Sequence, residues 1–240
     1  IVALQACFVY TGGMAILYIV GTPIGNLEDI TLRALRVLKE AQLIICEDTR
    51  HSRNLLQHHG INDVPLASWH AHSKPEAGLR LLEKVAALES AAYVSDAGTP
   101  GVSDPGMLLV REARKAGIKI VPIPGASAVI TLASVGGVPG KRFVFEGFLS
   151  PKGGRRRSAI KELVETGRPF ILFESPYRVV KLLQDLSEII PEGEITIGRE
   201  LTKRYEELWC GSCLEAWKDF SSRDSIKGEF AILVSPVKIG

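Results

Sequence analysis

The chain has 240 residues, with 46% hydrophobic and 23% charged side chains and 23 glycines set in short loops, a globular composition that excludes extended disorder. It is long enough for one large or two small domains. A formal net charge of +2 excludes a protein that coats nucleic acid indiscriminately, so any RNA contact must be local.

Residues 1–13 are apolar but carry no basic leader and contain Thr11, Gly12 and Gly13; they are expected to be an extension ahead of a natural start at Met14. From there, apolar runs bounded by Gly, Pro or Asp alternate with helical spacing, the pattern of a mainly parallel sheet with crossover helices. The expected strands of the first half are Ile16–Val20, Leu43–Cys46, Val64–Ala67, Ala91–Ser95 and Ile118–Val121. Helices are expected over Leu32–Glu40, with Leu32, Leu35 and Leu38 on one stripe, and over Pro75–Leu88, and Gly60 and Gly117 are expected to end helices. Gly136–Gly140 breaks the periodicity, which suggests domains at 14–140 and 141–240. Beyond it, strands are expected at Phe143–Phe148, Phe170–Glu174, Ile195–Arg199, Tyr205–Cys210 and Glu229–Val234. Two long helical stretches, Ser158–Thr166 and Tyr177–Ile190, separate them, which predicts a mixed sheet.

Three Gly/Pro-rich loops each follow a strand and precede a helix: GTPIGNLE (21–28, with Pro23), DAGTPGVSDPG (96–106) and PIPGASA (122–128). In an open parallel sheet such loops gather at the carboxyl ends of the strands and share a pocket. Glycine admits a ligand close to the backbone, and helix starts offer free N–H groups. An adenosyl amino acid suits that chemistry, with Pro23 among its expected contacts and Asp96 as an acceptor for ribose hydroxyls. The first loop has neither the spacing of a dinucleotide fingerprint nor a P-loop Gly-Lys-Ser/Thr.

Eight motifs then stand in one order: TPIGNL (22–27), DITLRAL (29–35), EDTRHSR (47–53), SDAGTPGVSDPG (95–106), PGASA (124–128), FEGFL (145–149), ESPYR (174–178) and RELTK (199–203). Through them the chain, from about Ile16 to Val234, resembles the ribosomal RNA cytidine 2′-O-methyltransferase branch of the tetrapyrrole methylase superfamily. The resemblance implies two α/β domains with S-adenosylmethionine held in the cleft between them, a homodimer, and as acceptor a cytidine ribose of 16S rRNA in the decoding region of the small ribosomal subunit. It also implies donor contacts at Ser95, Asp96, Ala97, Gly98, Ser127 and Ala128, joined from the second domain by Phe173, Glu174 and Leu201. A tetrapyrrole methyltransferase and a non-catalytic ribosome-assembly factor are the competing functions.

A ribose hydroxyl is a poor nucleophile, so a carboxylate that takes its proton would assist methyl transfer. Glu47, Asp48 and Asp96 are the candidates, with Asp48 alternatively a helix cap. Arg50 and Arg53, on the helix after Asp48, and Lys152, Arg155, Arg156 and Arg157, on an expected glycine-containing loop (KGGRRR), are candidate RNA contacts. Cys210-Gly-Ser-Cys213 imitates a thiol redox motif and His70-x-His72 a metal pair, but neither has supporting partners, so no metal is expected. Four scattered cysteines favour a reducing, cytoplasmic setting over a disulfide framework, and no membrane partner is expected.

Overall fold

The computed structural model describes residues 15–70, 75–137 and 142–236. They divide into two compact units that change over between Ala126 and Ser127, with Ile24–Asn26 grouped with the second unit. The change comes earlier than the Gly136–Gly140 break, because the helix between them packs on the second sheet. Among the described residues no helix is long and apolar enough to cross a membrane.

The first unit alternates strand and helix: β1 (Ile16–Val20), α1 (Leu32–Glu40), β2 (Ile44–Cys46), α2 (Thr49–His58), β3 (Leu66–Ser68), α3 (Pro75–Ala86), β4 (Ser90–Val94), α4 (Gly106–Lys115) and β5 (Lys119–Ile123). The strands pair in the order β3-β2-β4-β1-β5, and every pairing is parallel. Both faces are covered, which is why the central strands read as unbroken apolar runs. On one face Leu17, Ile45 and Tyr93 meet Leu82 and Val85 of α3 and Leu109 of α4. On the other, Val20, Ile44 and Val94 meet Val37 and Leu38 of α1 and Leu56 of α2. The chain therefore leaves β1 toward one face and the adjacent β4 toward the other, which opens a crevice at their carboxyl ends.

Local signals behave as their chemistry requires. Thr31 caps α1 by accepting the Ala34 N–H at 3.0 Å, and Gly60 and Gly117 adopt φ of 69° and 74° just past α2 and α4, where a left-handed residue ends a helix. The buried stripe of α1 is Ala34, Val37 and Leu38 instead of the expected Leu32, Leu35 and Leu38; Leu32 is 87% exposed.

The second unit holds α5 (Ala128–Val135), β6 (Val144–Phe148), α6 (Gly153–Glu165), β7 (Phe170–Glu174), α7 (Val179–Ile189), β8 (Glu194–Arg199), β9 (Glu207–Ser212), α8 (Cys213–Ser222) and β10 (Phe230–Ser235). Its sheet runs β6-β7-β10-β8-β9. β6 and β7 are parallel and the remaining pairs antiparallel, so the mixed sheet is as expected. Phe170, Leu172, Ile197 and Ile232 face a core completed by Ile160 of α6, Leu182 and Leu186 of α7 and Phe220 of α8. On the opposite face α5 lies against β10, so close that a Cβ on Gly136 would stand 2.4 Å from Leu233 Cδ2.

Two expectations need correction here. A helix, α8, follows β9 directly where none was expected; Ser212 and Glu215 form a reciprocal capping box at its start. And KGGRRR is not a loop: α6 begins at Gly153. Arg156 points into the unit, only 7% exposed, with its Nε 2.7 Å from Asp185 Oδ2. Arg157 pairs with Asp185 and Glu188. Arg156 thus holds α6 to α7 and is not available as an RNA grip, whereas Lys152 and Arg155 are exposed.

Candidate active site

The three Gly/Pro-rich loops meet at the carboxyl end of the first sheet. Thr22 N–H donates to Gly98 O at 2.9 Å and Gly21 N–H to Ile123 O at 3.0 Å. The buried Thr22 hydroxyl lies 3.3 Å from Ser95 O and 3.4 Å from Gly98 O. The Thr99 hydroxyl donates to Ala126 O at 3.0 Å, which ties the second loop to the third. Gly21 and Gly125 press together, because a Cβ on either would lie 2.7–2.8 Å from the other's backbone. Thr22, which the motif reading passed over, is the residue through which the loops are joined; its signal was a hydroxyl enclosed between glycine and proline.

Of the expected donor contacts in this unit, Pro23, Ser95 and Gly98 are buried, and Asp96 and Ala97 are exposed at the tip of the second loop. Gly98 adopts φ 78°, a conformation that turns the loop back toward Thr22 and favours glycine. These groups fit an adenosyl amino acid: closely approaching backbone, buried apolar surface at Pro23 and an exposed carboxylate at Asp96.

The three candidate acids come together beside those loops. Asp48 N–H donates to Asp96 Oδ1 at 3.1 Å, and Asp96 N–H to Glu47 Oε1 at 3.4 Å. They are not equivalent. Asp48 caps α2 by accepting the Arg50 N–H at 2.8 Å and takes two further bonds from the Arg50 guanidinium. Those bonds hold its carboxyl down at about 2, a poor proton acceptor at neutral pH. Glu47 is half-buried; desolvation, reinforced by the nearby Asp104 and Asp96 carboxylates, pushes its carboxyl above the ordinary glutamate value despite the Asp96 N–H. Asp104 was overlooked in the sequence although Asp-Pro-Gly is a turn signal. Its carboxylate accepts the Gly101 and Gly106 N–H groups, each at 2.7 Å, and shapes the second loop. Arg50 and Arg53 are exposed on α2.

Within the second unit, Ser127 is the N-cap residue of α5 and Ala128 its first residue, both half-buried. Phe173 is the half-buried penultimate residue of β7, and Leu201 is 7% exposed. Leu201 sits between Glu200 and Thr202, which hold φ of 52° and 65°; such backbone strain marks places where geometry is imposed. The Thr202 hydroxyl accepts the Asn26 N–H at 3.1 Å. A Cβ on Gly25 would meet Lys203 Cγ at 2.3 Å, so RELTK anchors the end of TPIGN. Glu174 is buried; its Oε1 accepts the Ser175 N–H and pairs with Arg178, while Oε2 has no hydrogen-bond partner among the described residues.

The two cysteines of the thiol motif differ in setting, Cys210 being exposed and Cys213 buried. Burial pushes the Cys213 thiol up to about 12, the opposite of what a reactive thiolate needs. His72 lies outside the described residues, among which no three His, Cys, Asp or Glu side chains converge as a metal site.

The family model described as Tetrapyrrole (Corrin/Porphyrin) Methylases matches residues 16–215. The chain belongs to the tetrapyrrole methylase family. Within it, the chain is 50% identical over 220 residues to the "Ribosomal RNA small subunit methyltransferase I" of Borrelia garinii, covering 91% of this chain and 98% of that one. It is 44% identical to the protein of the same name from Pseudomonas aeruginosa, over 91% of this chain and 78% of the relative. Among solved structures, diphthine synthase aligns with a TM-score of 0.72 at 18% identity, over 92% of this chain and 89% of that one. A Thermus thermophilus uroporphyrin-III C-methyltransferase complexed with S-adenosylhomocysteine aligns with a TM-score of 0.64 at 19% identity, over 92% and 97%. At such identities the structural likeness speaks for the tetrapyrrole methylase fold alone.

Proposed function

We propose that this family member is an S-adenosylmethionine-dependent enzyme that methylates the ribose 2′-oxygen of a cytidine in 16S rRNA of the small ribosomal subunit. The 42–50% identity to small subunit methyltransferases over about 91% of the chain favours RNA over a tetrapyrrole as acceptor. The observation that carries the donor reading is the Gly21–Gly125 contact, with the Thr22–Gly98 hydrogen bond beside it. It gathers three loops into one rigid wall with no side chain at its closest point. Pro23, the Ser95–Gly98 segment, Ser127 and Ala128 are the proposed donor contacts, with Phe173, Glu174 and Leu201 carried from the resemblance.

Bound S-adenosylmethionine supplies an already activated methyl group, so the protein's task is to align the acceptor oxygen, exclude water and receive one proton. Glu47 is the proposed acceptor of the 2′-hydroxyl proton, since its raised carboxyl binds a proton more readily than Asp48 does. Asp96 holds Asp48 in place through the Asp48 N–H, and Asp48 positions Arg50 for a neighbouring phosphate. The working unit is proposed to be a cytoplasmic homodimer, on the family resemblance and the sparse cysteines.

Mass spectrometry of small-subunit RNA nucleosides from cells with and without the gene tests the function: one 2′-O-methylcytidine is expected to disappear. Calorimetry with S-adenosylmethionine tests the donor. An unchanged nucleoside profile, or no donor uptake by folded protein with or without ribosomal particles, overturns the reading. Methylation of isolated subunits against naked RNA identifies the form of the substrate.

A further inference from the structure

We infer that exposed Phe148 of the second unit, backed by Phe145 and Phe173, is a stacking platform for an unpaired RNA base. This rests on the proposed function and refines its substrate from RNA in general to a single-stranded segment.

A bulge creates the platform. Phe145 lies opposite Ile171, the register then slips by one residue, and Phe148 lies opposite Phe173. Gly147, at φ 76°, takes the left-handed conformation such a kink requires. Without the extra residue Phe145 and Phe148, three positions apart, would point to opposite sides of the sheet. With it, both stand on the side of Phe173. The rings meet edge to face, with centroids 5.0 Å apart for Phe145–Phe173 and 5.7 Å for Phe148–Phe173. The cluster lies opposite the face that α6, α7 and α8 cover, with Phe145 and Phe148 on β6, an edge strand, and Phe173 on the adjacent β7.

Phe148 is 57% exposed and Tyr177, just beyond β7, is 91% exposed. Leaving large aromatic surface in water costs about 25 cal/mol per Å², and a preassembled ring cluster is a low-entropy surface for another flat ring. The surrounding charge says which kind of ring. The segment leaving Phe148 reaches the exposed Lys152 within four residues and the exposed Arg155 on the first turn of α6; among the described residues neither forms an ion pair. Arg178 holds this segment through a hydrogen bond to Leu149 O at 3.4 Å. An exposed ring at the sheet edge, followed within a few residues of chain by cations without ion pairs, suits single-stranded nucleic acid, whose bases stack on rings while its phosphates meet charges. A base within a duplex has no free face to offer.

The test uses full-length Phe148→Ala and Phe148→Trp proteins with three probes: a short cytidine-containing single-stranded oligoribonucleotide, its duplex form, and S-adenosylhomocysteine. Phe148→Ala is expected to weaken single-strand binding by on the order of tenfold while leaving S-adenosylhomocysteine affinity unchanged. Phe148→Trp is expected to keep single-strand binding, and the added indole emission should be quenched by the single strand and not by the duplex. Unchanged single-strand affinity in Phe148→Ala overturns the platform. So does quenching by S-adenosylhomocysteine but not by the oligonucleotide, which would give these rings to the donor's adenine. Normal methylation of small subunits by both wild type and Phe148→Ala, with an unchanged KM, sinks the platform and leaves the function standing. Phe148-dependent single-strand binding by a wild-type chain that methylates no RNA does the reverse.

Discussion

Gly21 and Gly125 stand backbone against backbone, each occupying the space in which the other's Cβ would lie, at 2.7–2.8 Å. They belong to the loops after β1 and β5, neighbours in the sheet, so their contact sets how closely two of the three loops approach. Gly21→Ala or Gly125→Ala must push main chain aside. Each is expected to cost roughly 1–3 kcal/mol of stability, seen as a lower melting temperature, and to weaken S-adenosylmethionine binding by about tenfold or more. Calorimetry showing native donor affinity in either variant would remove this contact from the donor site.

Glu47 and Asp48 adjoin in sequence but differ in proton affinity. With the Glu47 carboxyl held above its usual value by burial and by Asp104 and Asp96, its ionised form, the one able to accept a proton, appears only as pH rises through that raised value. The acid limb of kcat/KM is therefore expected at a higher pH than an unperturbed glutamate would give. Glu47→Gln should erase the limb and lower kcat by about 10²–10⁴-fold, whereas Asp48→Asn should leave the limb where it is. An unmoved limb in Glu47→Gln assigns the proton elsewhere. For stability the sign is opposite to that of an ion-paired acid: burial favours protonated Glu47, and this contribution is lost as pH rises through the raised value.

The cations of KGGRRR separate into two groups. Arg156→Ala would leave the 10%-exposed Asp185 side chain with Arg157 as its remaining ion-pair partner, a loss expected to lower the melting temperature and to cost less than the roughly 3–5 kcal/mol of a fully unpaired buried charge, yet it should leave the salt dependence of RNA binding unchanged. A Lys152→Ala/Arg155→Ala pair should show the converse: near-native melting, and a slope of log affinity against log salt shallower by roughly 1–2. Binding measured across a salt series, beside thermal melts, distinguishes them.

Ser212 donates nothing to chemistry, but its hydroxyl accepts the Glu215 N–H at 3.2 Å while Glu215 accepts the Ser212 N–H at 2.8 Å. Ser212→Ala is expected to cost about 0.5–2 kcal/mol with kcat intact. Denaturant titration beside a methylation assay checks both halves of that statement.

Most of the first unit could be read from the sequence because its strands are buried on both faces and its helices carry an apolar stripe; α1 runs over Leu32–Glu40, as the periodicity indicates. The misreadings share a cause. At α8 the eye is caught by Cys210 and Cys213, although the serine and glutamate three residues apart at 212 and 215 announce a helix start. At α6 two glycines conceal a helix whose inward face, Arg156, Ile160 and Leu163, has helical spacing with an arginine in an apolar position. A buried arginine becomes legible only once Asp185, 29 residues away, is known to face it. The acids were found as a group, but their inequivalence depends on Arg50, Asp104 and burial, which no spacing encodes.

The position of two strands bears on how the chain can be built and cut. β1 is the first strand of its sheet and lies inside it, between β4 and β5; β10 is the last of its own and lies inside that one, between β7 and β8. Among the described residues, each sheet thus has the first or the last of its strands in its interior. During synthesis, the β6–β7 and β8–β9 pairs have no strand to join them until residues 230–235 emerge. Trimming that reaches either strand removes the middle of a sheet and not its border.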